Sequence, residues 1–318
     1  MDFYKNKKIL VTGGTGMIGR HLVDLLKEKS AVIRIASLDD PVNSPSGVEY
    51  FQSDLTQKVQ ALTACEGMDY VFQLACVKGS PKSVKENPAT FFDGNLLVNI
   101  QMLRAAHQQN VERYLFTSSL AVYSPAELFH EDSVWKTFPS PNDTFAGWAK
   151  RMGELQVEAY RKQYGWNTIQ IVRPGNTYGP FDCFDEENSM VIPSLIRKAV
   201  NKEDPLVVWG DGTQKRDFIH ARDVALGMIL TMEKGIAAPI NLGSGNPYML
   251  RDVVNIIISN VGYSPKVIYD SSQPSGDPVR VLDISRARSF GFNPQISLED
   301  GISQTIKWYQ ESILRKFK

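Results

Sequence analysis

Short apolar runs alternate along this chain with longer stretches in which apolar positions recur every three or four residues. The short runs predict strands at 8–12, 31–37, 48–51, 69–75, 112–118 and 168–173, and the longer ones predict helices near 17–29, 87–109 and 146–164. Strands alternating with helices are the pattern of a parallel sheet covered on both faces, so residues 1–173 are expected to form an α/β unit with a doubly wound sheet. Beyond that point Pro174, Gly179, Pro180, Pro193, Gly210, Gly212 and Gly243 cut the chain into loops and short elements. Residues 174–318 are expected to form a smaller mixed α/β lobe, with the chain returning to the first unit around 217–245.

The first strand carries the most informative chemistry. Lys8-Ile9-Leu10-Val11 runs through Thr12-Gly13-Gly14-Thr15-Gly16-Met17-Ile18-Gly19 into the helical stretch from Arg20. Three glycines at this spacing, after a strand and opening a helix, are the pattern of a dinucleotide site. One makes a tight turn, one lets backbone N–H groups approach a pyrophosphate, and one packs helix on strand. Gly13, Thr15, Gly16, Met17 and Ile18 are the candidate contacts.

Composition narrows the picture. Lys plus Arg and Asp plus Glu both count 35, so no overall field would hold the chain on nucleic acid or a membrane surface. Cys65, Cys76 and Cys183 form no C-x-x-C pair and the histidines are scattered, which fits reduced thiols and no metal site. No apolar run approaches a membrane span, and the N-terminal residues lead straight into a strand. A cytoplasmic enzyme is the expectation.

Further segments follow in a fixed order: Asp54-Leu55, Val71-Phe72-Gln73-Leu74-Ala75, Ser118-Ser119-Leu120-Ala121-Val122-Tyr123, Gly147-Trp148-Ala149-Lys150, Arg173-Pro174-Gly175-Asn176-Thr177-Tyr178-Gly179-Pro180 and Asp217-Phe218-Ile219-His220. With the glycine loop, they resemble the extended short-chain dehydrogenase/reductase superfamily, in particular its NAD-dependent nucleotide-sugar epimerases, dehydratases and reductases. The resemblance covers nearly the whole chain. It implies a Rossmann NAD-binding domain at 1–173 and a nucleotide-sugar lobe at 174–318. It also places Leu74, Ala75 and Pro174 at the cofactor.

A carboxylate after the second strand favours NAD, and an arginine there favours NADP. Ser37 stands at the usual acidic position with Asp39 and Asp40 just beyond, while Arg34 alternates toward a sheet face, so NAD is the expected cofactor. In similar enzymes Asp54 and Leu55 border the adenine; Asp54 also suits a cap on the following helix, and the two roles are compatible.

Catalysis in this superfamily uses a Ser or Thr with a Tyr-x-x-x-Lys pair, the Lys binding the nicotinamide ribose and lowering the phenol pKa. Ser119 and Lys150 match, but Ala146 stands where the tyrosine belongs. Three readings stay open. The proton travels through Ser119, Asp143, Thr144, Tyr178 or water; or the nicotinamide is held tightly with slow turnover; or the alanine replaces a native tyrosine.

Leu120 and Ala121 replace the acidic pair of a 4,6-dehydratase. The stretch from Tyr178 to Lys198 resembles the GDP-fucose synthases, yet their catalytic cysteine and histidine correspond to Ala121 and Met190. Hydride transfer at C4 of a nucleotide sugar, GDP-linked by this resemblance, is what remains. The same likeness assigns Lys78, Ser119, Asn176, Val191, Lys198, Trp209, Arg216 and Arg280 to the substrate. For the last residues the plainer readings are a core tryptophan and an Arg216–Asp217 surface pair. A 4-epimerase and a non-catalytic NAD(H)-binding sensor are the alternative functions. Apolar residues on more than one face of 95–109 and 146–164 fit the four-helix homodimer interface of similar enzymes.

Overall fold

The computed structural model describes residues 3–79 and 81–316. Its first half contains β1 (Lys8–Thr12), α1 (Met17–Glu28), β2 (Val32–Ser37), β3 (Glu49–Gln52), α2 (Lys58–Cys65), β4 (Tyr70–Gln73), α3 (Pro81–Glu86), α4 (Pro88–Gln108), β5 (Arg113–Thr117), α5 (Thr144–Tyr164) and β6 (Ile169–Pro174). The six expected strands and three expected helices all appear, with ends shifted by a residue or two. The run at 69–75 stops being a strand at Gln73 for a visible reason. The amides of Leu74 and Ala75 leave the ladder and donate instead to Thr12 Oγ1, both at 3.0 Å.

The second half contains β7 (Asn176–Tyr178), α6 (Val191–Val200), β8 (Leu206–Trp209), β9 (Lys215–His220), α7 (Ala221–Lys234), β10 (Ile240–Leu242), β11 (Pro247–Met249), α8 (Leu250–Val261), β12 (Val267–Asp270), β13 (Val279–Arg280), α9 (Ser285–Ser289) and α10 (Leu298–Lys316). Strand β10 crosses back to pair with β6, completing a seven-stranded parallel sheet in the order β10-β6-β5-β4-β1-β2-β3. The order reverses between β1 and β4. In a doubly wound sheet the crevice beyond the strand ends at that point receives the ligand.

Period-two alternation covers both faces of the sheet. Ile9, Val11, Ile35, Phe72 and Val172 pack with Leu22 and Leu26 of α1 and Met228 of α7 on one face. Leu10, Ala36, Val71, Phe116 and Ile171 pack with Met102 and Ala106 of α4 and Val157 of α5 on the other. A third core joins Ile196, Val208, Phe218, Val254, Ile257 and Ile302, from α6, β8, β9, α8 and α10.

Two imidazoles meet where α1 touches the end of β9. The rings of His21 and His220 lie 5.4 Å apart, and both Nε2 atoms are buried without a hydrogen-bond partner among the described residues. His220 Nδ1 accepts the Arg222 amide at 3.2 Å and so caps α7. Burial pushes His21 down to about 4, with Arg222 adding to the effect. Burial likewise pushes His220 down to about 3, helped by His21 and Arg222. Both folded values lie below the ordinary 6.5, so the associated stability is complete above pH 6.5 and is lost as pH falls toward the folded values. For the 2 % exposed His220 the loss by pH 5 is about 2 kcal/mol. Urea midpoints measured from pH 7 to 5 should fall accordingly, and less steeply in His220→Asn, which keeps a capping acceptor without the titration. An equal slope in the variant would refute the assignment.

Candidate active site

The glycine loop fits a dinucleotide on steric grounds. Gly13 has φ +66°, a left-handed conformation that side chains disfavour, and a Cβ there would lie 3.2 Å from the Ala75 backbone. At Gly19 a Cβ would sit 2.7 Å from Gly14 Cα, so only glycine lets α1 seat this closely on the loop. Gly16 differs. Its Cβ would meet nothing in the protein closer than 3.4 Å, so the space it leaves is open above the start of α1. Gly16 is also the cap residue of α1 and offers no side-chain acceptor, which leaves the N–H groups at Met17 and Ile18 for an anion.

A polar cluster forms beside the glycine loop at the tip of β2. Thr15 Oγ1 lies 2.9 Å from Ser37 Oγ and donates to the Asp39 carboxylate, while the Tyr50 hydroxyl donates to the Asp39 carbonyl at 2.6 Å. Asp39 is thereby presented beside the phosphate loop, where a ribose diol would meet a carboxylate. A cavity of about 380 Å³ opens there, lined by Thr15, Arg20, Asp39, Asn43, Phe181 and Trp308. Arg34 points elsewhere, into the carbonyls of Ala64 (3.1 Å) and Glu66 (2.9 Å) at the end of α2 and onto Glu49 (2.9 Å). Asp54 accepts from the Thr56 hydroxyl and amide, and these bonds hold its carboxyl below the ordinary value. It therefore shapes the turn into α2, while Leu55 is buried beneath with Leu10 and Ala36. Pro174 is buried at the end of β6, beside Leu242.

Ser119 and Lys150 approach from β5 and α5. Ser119 Oγ accepts the Ala121 amide at 3.1 Å and caps the tight turn Leu120–Val122. Lys150 Nζ donates to the Thr117 carbonyl at 2.8 Å, and burial lowers the pKa of its ammonium. Ala146 stands exposed one turn earlier on the same helix, and Phe145 turns aside to pack edge-on against Phe92. Among the other proton routes, Tyr178 is closed. Its ring is 2 % exposed and its hydroxyl faces the Leu298 carbonyl at 3.4 Å, inside the third core. The Thr144 hydroxyl donates to the Pro141 carbonyl at 3.2 Å.

Behind Ser119 lies a buried polar network that the sequence reading missed. Arg173 grips Glu154 with two hydrogen bonds of 2.9 and 2.7 Å, and Ser118 Oγ donates to the same carboxylate at 2.5 Å. Arg173 also donates to the Tyr123 hydroxyl at 2.9 Å, which in turn donates a hydrogen bond to Asn241 Oδ1 at 2.6 Å. The available signal was an arginine, with Gln170, inside the buried strand Ile169–Pro174.

The proposed substrate arginines are register partners, Arg280 on β13 beside Arg216 on β9. Burial brings Arg216 down to about 10, and the nearby Arg280 charge adds to this. Arg216 bonds the Ser275 carbonyl at 2.8 Å rather than Asp217, whose buried carboxylate receives Ser244, Gly245 and Leu282 instead. Arg280 forks onto Asp277 at 3.2 and 2.8 Å and reaches Asp143 at 2.6 Å. Trp209 is 48 % exposed at the end of β8, not a core residue. Lys198 Nζ donates to the Val207 carbonyl of that strand at 2.9 Å, and Asn176 donates to the Asp217 carbonyl at 3.1 Å. Val191 opens α6 at the surface, and the exposed Lys78 pairs with buried Asp182 at 3.2 Å.

Among the described residues no helix is long and apolar enough to cross a membrane. The family model for the NAD dependent epimerase/dehydratase family matches residues 9–243. The chain is 30% identical over 324 residues to GDP-L-fucose synthase of Escherichia coli, covering 96% of this chain and 97% of that one. Its structure resembles an epimerase of Methanothermobacter thermautotrophicus with a TM-score of 0.88 and 27% identity, covering 99% of this chain and 96% of that one. It also resembles the UDP-glucose 4-epimerase of Thermus thermophilus in complex with NAD, with a TM-score of 0.84 and 25% identity, covering 95% of this chain and 99% of that one.

Proposed function

Because the chain belongs to the NAD dependent epimerase/dehydratase family, we propose that it is an NAD-dependent oxidoreductase acting at C4 of a nucleotide-activated sugar, a GDP-hexose or GDP-heptose, in the synthesis of surface-polysaccharide sugars. One observation carries this reading. Two features suited to an anion occur in one molecule, the uncapped glycine cradle at the start of α1 and the register-paired Arg216 and Arg280. The first takes the dinucleotide and the second the sugar nucleotide, with exposed Trp209 available for the base. That assignment supports a cofactor unit at 1–173, to which the chain returns around 217–245, and a substrate unit at 174–318.

Bound NAD supplies or accepts the hydride. Lys150 holds the ribose next to it, Ser119 donates to the reacting sugar oxygen, and the arginines contribute binding energy remote from the reacting carbon. Double epimerisation is left out because Ala121 is buried and carries no proton, and Met190 caps α6 without a titratable group. Helices α4 and α5 lie side by side and expose Leu97, Ile100 and Leu155 at 43, 44 and 49 %, a surface that supports a homodimer built from both helices.

The test is to incubate the purified protein with GDP-, UDP- and TDP-linked 4-keto sugars and NADH, following absorbance and product mass. Loss of NADH with a product two hydrogens heavier, fastest with a GDP sugar, is expected. With the matching 4-hydroxy sugars and NAD in a parallel incubation, a C4 isomer without net formation of NADH would mean a 4-epimerase. No product from any sugar would mean a binding module.

A further inference from the structure

We propose that Asp143 carries the proton for the reacting C4 oxygen in place of the missing phenol, and that the substrate diphosphate loads it by taking over Arg280. The inference rests on the function proposed above and adds to it a residue and an order of events.

Position comes first. Asp143 is the cap residue of α5, and Ala146 and Lys150 follow it by three and seven residues. At about 100° per residue, Asp143 and Lys150 share almost the same azimuth, two turns apart, with Ala146 on that face between them. That sets a carboxyl paired with Arg280 at the head of α5, three residues ahead of Ala146.

Its partners come second. Among the described residues the Asp143 carboxylate makes one ion pair, to Arg280 at 2.6 Å. Asp277, the other carboxylate on Arg280, is tied down separately by Ser140 Oγ at 2.9 Å and Asn142 Nδ2 at 2.7 Å. When a diphosphate competes for Arg280, Asp143 is thus the partner free to leave, and Asp277 continues to orient the guanidinium.

Electrostatics comes third. Burial already raises the Asp143 carboxyl and Asp277 adds to this, while Arg280 and Arg216 pull it down. A diphosphate neutralises both arginines and adds negative charge beside the carboxylate, so every change it brings favours the protonated acid. In the reductive direction a hydride from NADH forms the C4–H bond, the carbonyl π pair moves to oxygen, and that oxygen takes the proton as the Asp143 O–H bond breaks. The carboxylate then returns to Arg280 when product leaves. In the oxidative direction the carboxylate takes the hydroxyl proton as hydride departs to NAD.

GDP is the probe. Titration calorimetry in two buffers of different ionisation enthalpy, near pH 6.5, should show proton uptake by wild-type protein in excess of that by Asp143→Asn. The variant should also bind GDP severalfold more tightly because the internal competitor is gone. With a reactive sugar nucleotide, Asp143→Asn should lose about 10²-fold in kcat, and Asp143→Asn/Ala146→Tyr should regain at least about tenfold of it. Equal proton uptake in the two proteins, or a wild-type rate in Asp143→Asn, overturns the inference while leaving the proposed function intact. Failure of wild-type protein to bind GDP or any other nucleoside diphosphate overturns both.

Discussion

Glu154→Ala is expected to remove about 3–5 kcal/mol of folding stability, because it strands a buried guanidinium without its counter-charge. Arg173 is 0 % exposed and Glu154 1 %. Burial works against the Arg173 charge, but the hydrogen bonds and charge of Glu154 outweigh it and hold the guanidinium protonated above its ordinary value. The carboxylate also receives Ser118, the neighbour of Ser119, so its loss loosens the end of β5 as well as the α5–β6 contact. Urea denaturation monitored by tryptophan fluorescence would measure the effect. A companion double variant, Glu154→Met/Arg173→Met, should cost less than the sum of the two single changes, since no unpaired charge remains. A loss below about 1 kcal/mol in Glu154→Ala would show that Arg173 finds other acceptors, of which the Glu131 carbonyl at 2.8 Å is the nearest at hand.

The second large effect is catalytic. Lys150→Met should lower kcat by about 10²- to 10³-fold, the range typical of removing one preorganised electrostatic donor. The apolar stem of methionine fills the space beside Phe116, whose ring lies 5.4 Å from the ammonium, so folding should be little affected. The variant surrenders a single hydrogen bond to the protein, that to the Thr117 carbonyl. Weaker NADH binding by fluorescence titration, together with an unchanged unfolding midpoint, would separate a ribose-holding lysine from a structural one. A kcat within about threefold of wild type would remove Lys150 from the reaction.

These two residues illustrate different depths of legibility. Lys150 was singled out because the resemblance assigns it a role through a motif that also includes Ser119. Glu154 lies in the same helix and gave no comparable sign, since its partner arrives from β6 and its worth depends on burial that neither segment shows alone. Tyr178 is an open proton route on sequence grounds, and only the packing of α10 across its hydroxyl closes it. Trp209 and Arg216 each had a plainer reading. Trp209 proves exposed, and Arg216 faces Arg280 rather than its neighbour Asp217.

By itself the sequence determined the strand and helix order of the first half, the glycine cradle, the carboxylate after β2 and the absence of a hydroxyl at Ala146, because each is a matter of local periodicity or side-chain chemistry. Tertiary structure alone decided that the returning chain enters the large sheet as β10, at its edge beside β6, and that Arg173 clasps Glu154. It also decided that Asp143 and Asp277 share Arg280, although Asp143 lies far from both along the chain. Those pairings depend on which surfaces are withdrawn from water together. That outcome belongs to the packed whole, and no stretch of residues carries it singly.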